Sequence, residues 1–396
     1  IIKKIKMATI LYVIVRSISF GSSIGGMEKA AKEHLIEMSQ SGYKVVLVAP
    51  PSKVVGEIPH GVTFMGIEWP RWDISKYLMT MGYAYYKWCE KVGLALSDEI
   101  NININNIIHF HGASVGSLMF LKNEVKSKII SVVNPHGMEE FGSGSIFRFP
   151  NRFFTRLLLK QALNADAVIS TDPSIVLEVQ KNLKVSREKI AMIPNTIDLD
   201  KMNRLCPRGA PKISILDESI NLVSIGRIEH NKGYDLLADA LFLVKDRMPG
   251  KIIKWSHYGR GKKSALIKKK VGKYKLSYKN VIDASDAEVY SALRDSALFV
   301  QPSRYEGSSL TTLEAMSYGC LIVAMPVGGI PDKITDGVTG FLCKAVSAVS
   351  LADCIIAALS NDNEDIRRSA MRVADENYDI KNSTRKYKEL YAKLID

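Results

Sequence analysis

Two successive series of short apolar segments, each alternating with helical stretches, constrain the fold of this chain most strongly. Continuous apolar strands that alternate with helices are typical of parallel sheets covered by helices on both faces. The sequence therefore predicts an α/β protein with two Rossmann-like domains. The strands of the first series are predicted at 8–15, 44–49, 106–110, 128–133, 166–170 and 189–193, and those of the second at 220–225, 251–255, 280–283, 297–300 and 321–324.

The length of the chain supports the same division. At 396 residues it is too long for one ordinary core, and two domains are the natural expectation. The segment 198–219 is rich in proline, glycine and charge and is interpreted as the linker. We predict an N-terminal domain at 1–205, a C-terminal domain at 206–378 and a final helix within 379–396. Its apolar stripe must pack against a neighbour and comprises Tyr387, Leu390, Tyr391 and Leu394.

The charge and the composition limit which binding partners and which cellular compartment are expected. The net charge of +13 suits a nucleic acid, an anionic membrane surface or a phosphorylated substrate, without choosing among them. The longest apolar runs, such as 10–15, are far shorter than the roughly 20 residues that span a bilayer, and no signal peptide is expected at 1–8. Five widely spaced cysteines without a CxxC predict neither disulfides nor structural zinc, so a cytoplasmic location is expected.

Three glycine-rich turns follow predicted strands, at 21–27, 224–237 and 257–263. Such a turn leaves backbone N–H groups free at the start of a helix, where an anion binds favourably. Arg227 and Lys232 add a planar cation and a point charge to the second turn, as a pyrophosphate requires. The alternative is that the glycines only permit tight connections and that both cations are solvated.

The stretch "RYEGSSLTTLEAMSYG" (304–319) places Glu306 in a loop after a strand and Glu314 one turn inside the next helix. The backbone N–H groups of Ser308, Ser309 and Leu310 lie between the two carboxylates, at the positive end of the helix. Glu314 could accept hydrogen bonds from ribose hydroxyls and Glu306 from those of a sugar. The competing interpretation is a capping box formed by Thr311 and Glu314.

Together these motifs resemble those of the retaining family 4 glycosyltransferases of the GT-B fold, over most of the chain. Glu306 and Glu314 match the family's E-x7-E signature, and "IGRIEHNKGYDLL" resembles its phosphate loop. "GGMEKAAKEHLIEMSQSGYKVVLV" resembles the first glycine loop and helix, and "NPHGMEEF" (134–141) the strand-end histidine motif. Further matches are "ADAVIST", "IPNTID" and "GGIPDKITDGVTGFLC" (328–343).

The resemblance implies two domains that face each other across a cleft, with the C-terminal helix returning to the N-terminal domain. It implies a UDP- or GDP-sugar donor on the C-terminal domain and a glycan or lipid-linked acceptor on the N-terminal one. Ser308-Ser309 stand where an aromatic residue and a glycine or proline are commoner in the family, which puts the preference for the donor sugar in doubt. Two further departures, Arg260 in place of an acidic residue and Asp332 in place of a glutamate, remove no catalytic group.

The same resemblance assigns roles to individual residues. Retention would follow from a same-face displacement in which the departing diphosphate takes the acceptor's proton, so neither a protein base, a metal ion nor another cofactor is expected. His136 would orient the reacting sugar, and the D-x-D formed by Asp198 and Asp200 is assigned no metal. The implied catalytic residues are Glu306, His136, Arg227 and Lys232, and the implied donor-binding residues are Gly26, Gly226, Arg227, Lys232, Gly259, Glu306, Gly307, Ser308, Ser309, Leu310 and Glu314.

Between Phe147 and Leu163 a cation recurs every fourth residue beside aromatic and aliphatic residues. A helix of this kind could lie on an anionic bilayer or grip a lipid-linked diphosphate, and the aromatic segment 68–90 could extend the same surface. An ordinary helix with solvated cations is the alternative. We therefore predict a peripheral membrane association. Elsewhere in the first domain, His109 and His111 are interpreted as residues that pack at the end of a strand. The cations are Arg148, Arg152, Arg156 and Lys160.

Three other functions remain open at this point. A sugar-nucleotide 2-epimerase shares the fold and would turn over without an acceptor. A phosphorylase would need a lysine-bound pyridoxal phosphate. A basic nucleic-acid-binding module fits the charge, but Glu306 and Glu314 would repel a phosphate backbone, so no nucleic-acid partner is expected.

Overall fold

The computed structural model describes residues 9–21, 25–70, 82–137, 139–142, 149–209, 218–360 and 363–396. The chain divides into two compact units. Ile1–Pro194 and Ser383–Asp396 form the first unit, and Asn195–Asn382 form the second. Each unit contains a parallel sheet, so the prediction of two α/β domains is confirmed.

The first unit is built on a seven-stranded sheet in which every pairing is parallel, in the order β5-β3-β1-β6-β7-β8-β9. The strand order reverses at β1, whose Ile10 lies opposite Lys44 on one side and Asn106 on the other. The strands are β1 Thr9–Ile14, β3 Lys44–Ala49, β5 Val62–Gly66, β6 Asn105–His111, β7 Ile129–Asn134, β8 Ala167–Ser170 and β9 Ile190–Met192, with the separate pair β2 Ile18–Ser19 and β4 Val54–Val55.

Helices cover the first sheet, and the last helix of the chain belongs to this layer. Tyr387 and Tyr391 of that helix are buried in one core cluster with Leu11 and Leu35, which confirms the predicted return of the C-terminal helix. The α-helices are α1 Gly26–Gln40, α2 Tyr83–Glu99, α3 Asn123–Lys126, α4 Glu139–Gly142, α5 Phe149–Leu159, α6 Pro173–Leu183 and α14 Ile380–Ile395, and the 3-10 helices are Pro51–Lys53, Gly112–Phe120, Lys160–Asn164 and Arg187–Lys189.

The second unit has a six-stranded parallel sheet in the order β12-β11-β10-β13-β14-β15. Neighbouring residues of β10 enter different clusters, Leu222 on one face and Val223 on the other, as alternation along a strand requires. The strands are β10 Ser219–Ile225, β11 Ile252–Tyr258, β12 Ser277–Val281, β13 Leu298–Gln301, β14 Leu321–Ala324 and β15 Phe341–Leu342. The helices are α7 Leu199–Leu205, α8 Tyr234–Arg247, α9 Ser264–Tyr274, α10 Asp286–Arg294, α11 Leu310–Ser317, α12 Ala348–Ser360, α13 Glu364–Asn377 and the 3-10 turn His230–Lys232.

The boundary between the units lies at Pro194, ahead of the position predicted at 205. Helix α7 was assigned to the linker region and the N-terminal domain, but Leu199 and Met202 pack in the second unit's core with Val223 and Phe299. This burial of apolar surface attaches α7 to the second unit. Residues 210–217 of the predicted linker lie outside the described part of the chain.

The two aspartates of the D-x-D both have structural contacts. Asp198 caps α7 by accepting a hydrogen bond from the backbone N–H of Lys201, and Asp200 pairs with Lys381 at 2.8 Å. All five cysteines are free and buried. Across the described residues, none of the helices is long and apolar enough to cross a membrane.

Candidate functional site

Two glycine turns and the loop bearing Glu306 follow three neighbouring strands of the second sheet. Gly226 ends β10, Gly259 ends the adjacent β11, and Glu306 follows β13 on the other side of β10. Gly259 has a φ of +146°, and a Cβ there would lie 2.2 Å from the carbonyl oxygen of Gly226. The two turns approach so closely that only glycine fits. The N–H of Gly226 donates to the carbonyl of Tyr258 and that of Gly259 to the carbonyl of Val281, so these two glycines do not supply the free N–H groups that the sequence predicted.

The Glu306 carboxylate is the centre of a buried hydrogen-bond network. Its Oε1 accepts from Lys232 Nζ at 2.6 Å, Gln301 Nε2 at 2.7 Å and Ser303 Oγ at 2.6 Å. Glu306 is 6% exposed, so its charge depends on these donors for stabilisation. The structure thus brings together Lys232 and Glu306, which the sequence analysis had assigned separately to a diphosphate and a sugar.

A second ion pair fixes the turn that carries Lys232. The Arg304 guanidinium donates to both carboxylate oxygens of Asp235 at 2.7 Å and to the carbonyl of His230 at 2.9 Å. The backbone N–H of Arg304 donates to the carbonyl of Asn231. This bidentate contact holds the His230–Lys232 turn against the loop that precedes Glu306.

Four polar residues of this framework were not predicted to belong to the site. Three of them lie within "QPSR", which begins at the last residue of β13, and a polar run at the end of a buried strand is the signal that could have found them. The fourth, Asp235, could not have been recognised from the sequence, because a carboxylate in the first turn of a helix is common. They are Gln301, Ser303, Arg304 and Asp235.

The helix that bears Glu314 starts at Leu310, and its cap is Ser309, whose hydroxyl accepts from the backbone N–H of Thr312. The alternative capping box of Thr311 and Glu314 is therefore wrong, because Thr311 already lies inside the helix. Glu314 is buried, at 5% exposure. The hydroxyl of Ser308 is buried and has no hydrogen-bond partner among the described residues, which leaves a polar atom available beside the helix start.

The backbone of the loop before α11 is supported by a second close backbone approach, between Gly328 and Glu306. Gly328 has a φ of +55°, and a Cβ there would lie 1.8 Å from the carbonyl oxygen of Glu306. The N–H of Gly329 donates to the carbonyl of Gly307 at 2.8 Å. The predicted segment after the E-x7-E helix therefore supports the backbone of the loop that carries the first glutamate.

Arg227 and Arg260, two cations discussed from the sequence, both lie at the surface of the second unit. Arg227 follows Gly226 and has an exposed side chain. Arg260, where the resembled family commonly has an acidic residue, pairs with Asp283 at 2.9 Å, and both side chains are mostly exposed. Arg227 is thus accessible to an anionic ligand, whereas Arg260 is part of a surface ion pair of small energetic value.

Gly26 and His136 belong to the first unit, whereas the other predicted site residues all belong to the second. Gly26 is the first residue of α1, after the N-cap Gly25, and a Cβ at Gly26 would meet nothing within 4 Å. Local packing therefore does not require glycine at position 26. Residues 22–24 of the predicted glycine loop lie outside the described residues.

His136 follows β7 in a left-handed conformation, with a φ of 62°. This conformation is uncommon for a residue other than glycine and is found at functional sites. The Nε2 atom of His136 lies 2.7 Å from Nδ1 of His111. Burial lowers the pKa of His136 to about 3, so the ring is neutral near neutral pH and is a poor general base.

His109 and His111 are buried at the end of β6, as predicted, but they are also hydrogen-bonded. His109 Nδ1 lies 2.6 Å from the hydroxyl of Tyr391, and His34 Nε2 lies 2.8 Å from the same oxygen. His34, which lies on α1, was not predicted, because its closeness to the other rings has no local signature in the sequence.

Helix α5 has a mixed environment. Leu158 and Leu159 are buried, Phe153 is 55% exposed, and Lys160 just beyond the helix is exposed. Arg156 is engaged within the unit, since its Nε donates to the carbonyl of Glu140. The predicted surface therefore retains fewer accessible cations than the spacing indicated, and Arg148 lies outside the described residues.

The predicted extension of this surface through 68–90 holds only in part where it is described. Tyr83 is 40% exposed, and its ring lies 5.4 Å from that of Phe154 on α5. Tyr85 and Trp88 are buried in the first unit's core, and the Trp88 ring lies 5.9 Å from that of Trp69. The aromatic residues at these buried positions fill the core of the first unit. Residues 71–81 lie outside the described part of the chain.

Two family models cover most of the chain in succession. Residues 24–201 match the model described as "Glycosyltransferase Family 4", and residues 219–361 match "Glycosyl transferases group 1". The chain is a family 4 glycosyltransferase of the GT-B fold. The predicted family and fold are confirmed.

Curated relatives of this glycosyltransferase include one of nearly the same extent. An uncharacterized glycosyltransferase of Methanocaldococcus jannaschii, MJ1069, is 23% identical over 94% of this chain and 96% of its own. The lipopolysaccharide core biosynthesis mannosyltransferase LpsB of Rhizobium meliloti is 28% identical over 51% of this chain and 62% of its own, less than two thirds of that relative's length.

Among solved structures, Anabaena Alr3699/HepE in complex with UDP-glucose resembles this glycosyltransferase with a TM-score of 0.69. The two are 15% identical, over 97% of this chain and 99% of that one. The likeness therefore concerns the fold.

Proposed function

We propose that this glycosyltransferase moves a hexose or N-acetylhexosamine from a UDP- or GDP-sugar to a hydroxyl of a glycan or lipid-linked acceptor, with retention at the anomeric carbon. The observation that carries the proposal is the Lys232–Glu306 network at the carboxyl ends of the second sheet, beside the start of α11. A cation, a carboxylate and a helix start in one place suit a ligand that is anionic at one end and rich in hydroxyls at the other.

In the proposed complex, Lys232, Arg227 and the backbone amides of 308–310 bind the donor's diphosphate. Gly226, Gly307 and Gly259 let backbone approach it closely. Glu314 accepts hydrogen bonds from the ribose hydroxyls and Glu306 from a hydroxyl of the transferred sugar. The structure of HepE with UDP-glucose supports a nucleotide sugar as the donor class.

The proposed reaction breaks the bond between the anomeric carbon and the diphosphate oxygen and forms the new glycosidic bond on the same face. The leaving phosphate takes the proton of the acceptor hydroxyl, and Lys232, Arg227 and the helix-start amides stabilise the developing negative charge. No metal ion or other cofactor is required in this scheme. As the family resemblance implies, the scheme assigns contacts with the donor phosphate and the acceptor to Gly26 and the orientation of the sugar to neutral His136.

The proposed biological role is the synthesis of cell-surface polysaccharide or glycoconjugate on the cytoplasmic side of the membrane. The lipopolysaccharide core mannosyltransferase among the relatives supports this class of acceptor. We propose that α5 contributes to peripheral association with anionic lipid, since Phe153 and Lys160 are exposed and Arg152 is half-buried.

Thermal unfolding with UDP-, GDP- and ADP-sugars tests the donor class, because a ligand that binds only the folded protein raises Tm. The stabilising sugar nucleotide is then incubated with acceptor glycans, and the anomeric configuration of the product is read by NMR. A product of inverted configuration contradicts the retaining mechanism. Interconversion of the sugar nucleotide without acceptor identifies a 2-epimerase instead.

Sedimentation with anionic and neutral liposomes tests the membrane proposal. The double variant Arg152→Glu/Lys160→Glu should bind anionic liposomes more weakly than the wild type. Lys126→Glu/Lys128→Glu, which makes the same charge change at two exposed lysines of the first unit, is the matched control. Equal loss in both variants would indicate that net charge alone drives binding, and no binding by the wild type would contradict the proposal.

A further inference from the structure

Three histidines from distant parts of the sequence meet in the core of the first unit. His34 lies on α1, and His109 and His111 lie on the same side of β6, two positions apart. The exposed fractions are 5% for His34 and zero for the other two. One ring nitrogen of each can be chosen so that all three atoms lie within 4.8 Å of one another.

Each of these rings uses one nitrogen and leaves the other without a partner. His34 Nε2 and His109 Nδ1 contact the hydroxyl of Tyr391, and His111 Nδ1 contacts His136. The remaining nitrogens are His34 Nδ1, His109 Nε2 and His111 Nε2, and all three are buried without a hydrogen-bond partner in the described part of the chain. A buried polar atom without a partner is costly, so three in one cluster call for a ligand.

The protons of the cluster can be placed so that all three free nitrogens carry a lone pair. His34 and His109 then each donate to the oxygen of Tyr391, and His111 donates to Nε2 of His136. Histidines that bind metal ions commonly donate their second N–H to such an acceptor, which fixes the tautomer and the orientation of the ring. All three rings are neutral in this arrangement, which is the form that binds metal.

We propose that His34, His109 and His111 bind one divalent transition-metal ion, with Zn²⁺ as the best-matched species, in the core of the first unit. Neutral imidazole is a common ligand for zinc, and three protein ligands leave one position for water. Zinc–nitrogen bonds of about 2.0–2.1 Å require nitrogens closer together than the 4.8 Å limit. The rings of His109 and His111 are stacked with centroids 4.7 Å apart, so they must rotate for both to bind one ion.

The proposed ion is structural and takes no part in the transfer reaction. The ion would link α1 to β6 directly. It would also link both to helix α14, because Tyr391 of that helix contacts His34 and His109. Binding to the folded state alone would stabilise this arrangement. The inference is independent of the proposed donor and acceptor.

The test uses the full chain purified without a histidine tag. Bound metal is measured by mass spectrometry, and after chelation the protein is titrated with Co²⁺, whose visible absorption reports a tetrahedral nitrogen site, and then with Zn²⁺. We expect one ion per chain, a rise in Tm with Zn²⁺, and loss of binding in His109→Asn and His34→Gln. Tyr391→Phe keeps all three ligands and should weaken affinity about 10–100-fold.

His60→Ala, at an exposed histidine, is the matched control and should bind metal as the wild type does. The proposal is overturned if the wild type binds neither ion, which would indicate a site filled by water, or if His60→Ala loses as much binding as the ligand variants. Should His109→Asn not fold, Tyr391→Phe decides, since unchanged metal affinity in that variant also overturns the proposal. Calorimetry with the nucleotide in the same samples separates this outcome from any failure of the donor proposal.

Discussion

At the scale of single residues, the contact between Lys232 and Glu306 is the most informative feature of the donor side. The two side chains are 2.6 Å apart and largely withdrawn from water, so each neutralises the other. A diphosphate that binds Lys232 must share or replace this partner. We infer that the ion pair positions the ammonium group in advance of the donor, which lowers the cost of organising the site.

The variants Lys232→Ala and Arg227→Ala should each lower turnover by about 10²–10³, because each removes one preorganised donor from the leaving group. Their stabilities should differ. Arg227 is exposed and its loss should not change the free energy of unfolding, whereas Lys232→Ala leaves Glu306 without its cation and should lower it. Steady-state kinetics and urea unfolding measure both, and Lys268→Ala, at an exposed lysine of the same unit, is the control. Near-normal turnover in both variants would remove the phosphate loop from the site.

Substituting the two glutamates by glutamine should separate nucleotide binding from sugar binding. Glu314→Gln should weaken binding of the free nucleoside diphosphate, because Glu314 is assigned to the ribose. Glu306→Gln should weaken that binding less than Glu314→Gln does, only through the lost positioning of Lys232, and should mainly lower turnover with the complete donor. Isothermal calorimetry with the bare nucleotide distinguishes them, and equal loss in both variants contradicts this division of roles.

At the scale of structural elements, the donor site depends on loops that neighbouring backbone holds in place. The Arg304–Asp235 pair fixes the turn before α8, and Gly328 and Gly329 support the loop before α11. Apart from Asp235, which lies in the first turn of α8, the residues that make these contacts lie outside the helices and strands. The positions of Lys232 and Glu306 are therefore set by contacts between loops rather than by the sheet alone.

Gly328→Ala should lower both stability and turnover, because its Cβ would meet the carbonyl oxygen of Glu306 in a backbone conformation that alanine rarely adopts. Gly272→Ala is the matched control. It lies inside α9, and its Cβ would meet nothing within 4 Å, so alanine should stabilise the helix by up to about 1 kcal/mol. Thermal unfolding and steady-state kinetics report both effects, and an equal response at the two glycines would contradict the steric argument.

The central strands and the edge strand β9 were predicted well, whereas other edge strands were displaced or missed. The strands predicted at 321–324 and 44–49 match β14 and β3, and the strand predicted at 297–300 lies within one residue of β13 at either end. The predicted strand at 280–283 instead runs Ser277–Val281, and Val62–Gly66 was missed. Both lie at the edge of a sheet and alternate exposed with partly buried residues, so a search for continuous apolar runs does not detect them.

At the scale of the whole molecule, the stability of the second unit depends on a buried neutral histidine. His257 is fully buried between the hydroxyl of Ser224 and the carbonyl of Gly226, at 2.8 and 3.1 Å. Burial lowers its pKa to about 4, although the hydrogen bond to Gly226 opposes this shift. The unfolded chain, with a histidine pKa near 6.5, therefore binds a proton at pH values where the folded unit does not.

We expect the contribution of His257 to the free energy of unfolding to be constant above about pH 6.5 and to fall as the pH drops from there to about 4. The slope should be about 1.4 kcal/mol per pH unit, since unfolding takes up one proton in this window. Urea unfolding of the wild type and His257→Asn across this range tests the sign. The difference between the two curves should shrink towards low pH, and a constant difference contradicts the assignment.

Local rules determined the two parallel α/β domains, the glycine turns and the E-x7-E spacing. Apolar periodicity, the steric freedom of glycine and helix starts act over a few residues and can be recognised in the sequence. The tertiary structure decided which polar groups meet. Lys232 and Glu306 are 74 residues apart, and His34 and Tyr391 are 357 apart. Such pairings depend on where the folded sheets bring distant segments together and exclude water, and no short stretch of sequence encodes that proximity.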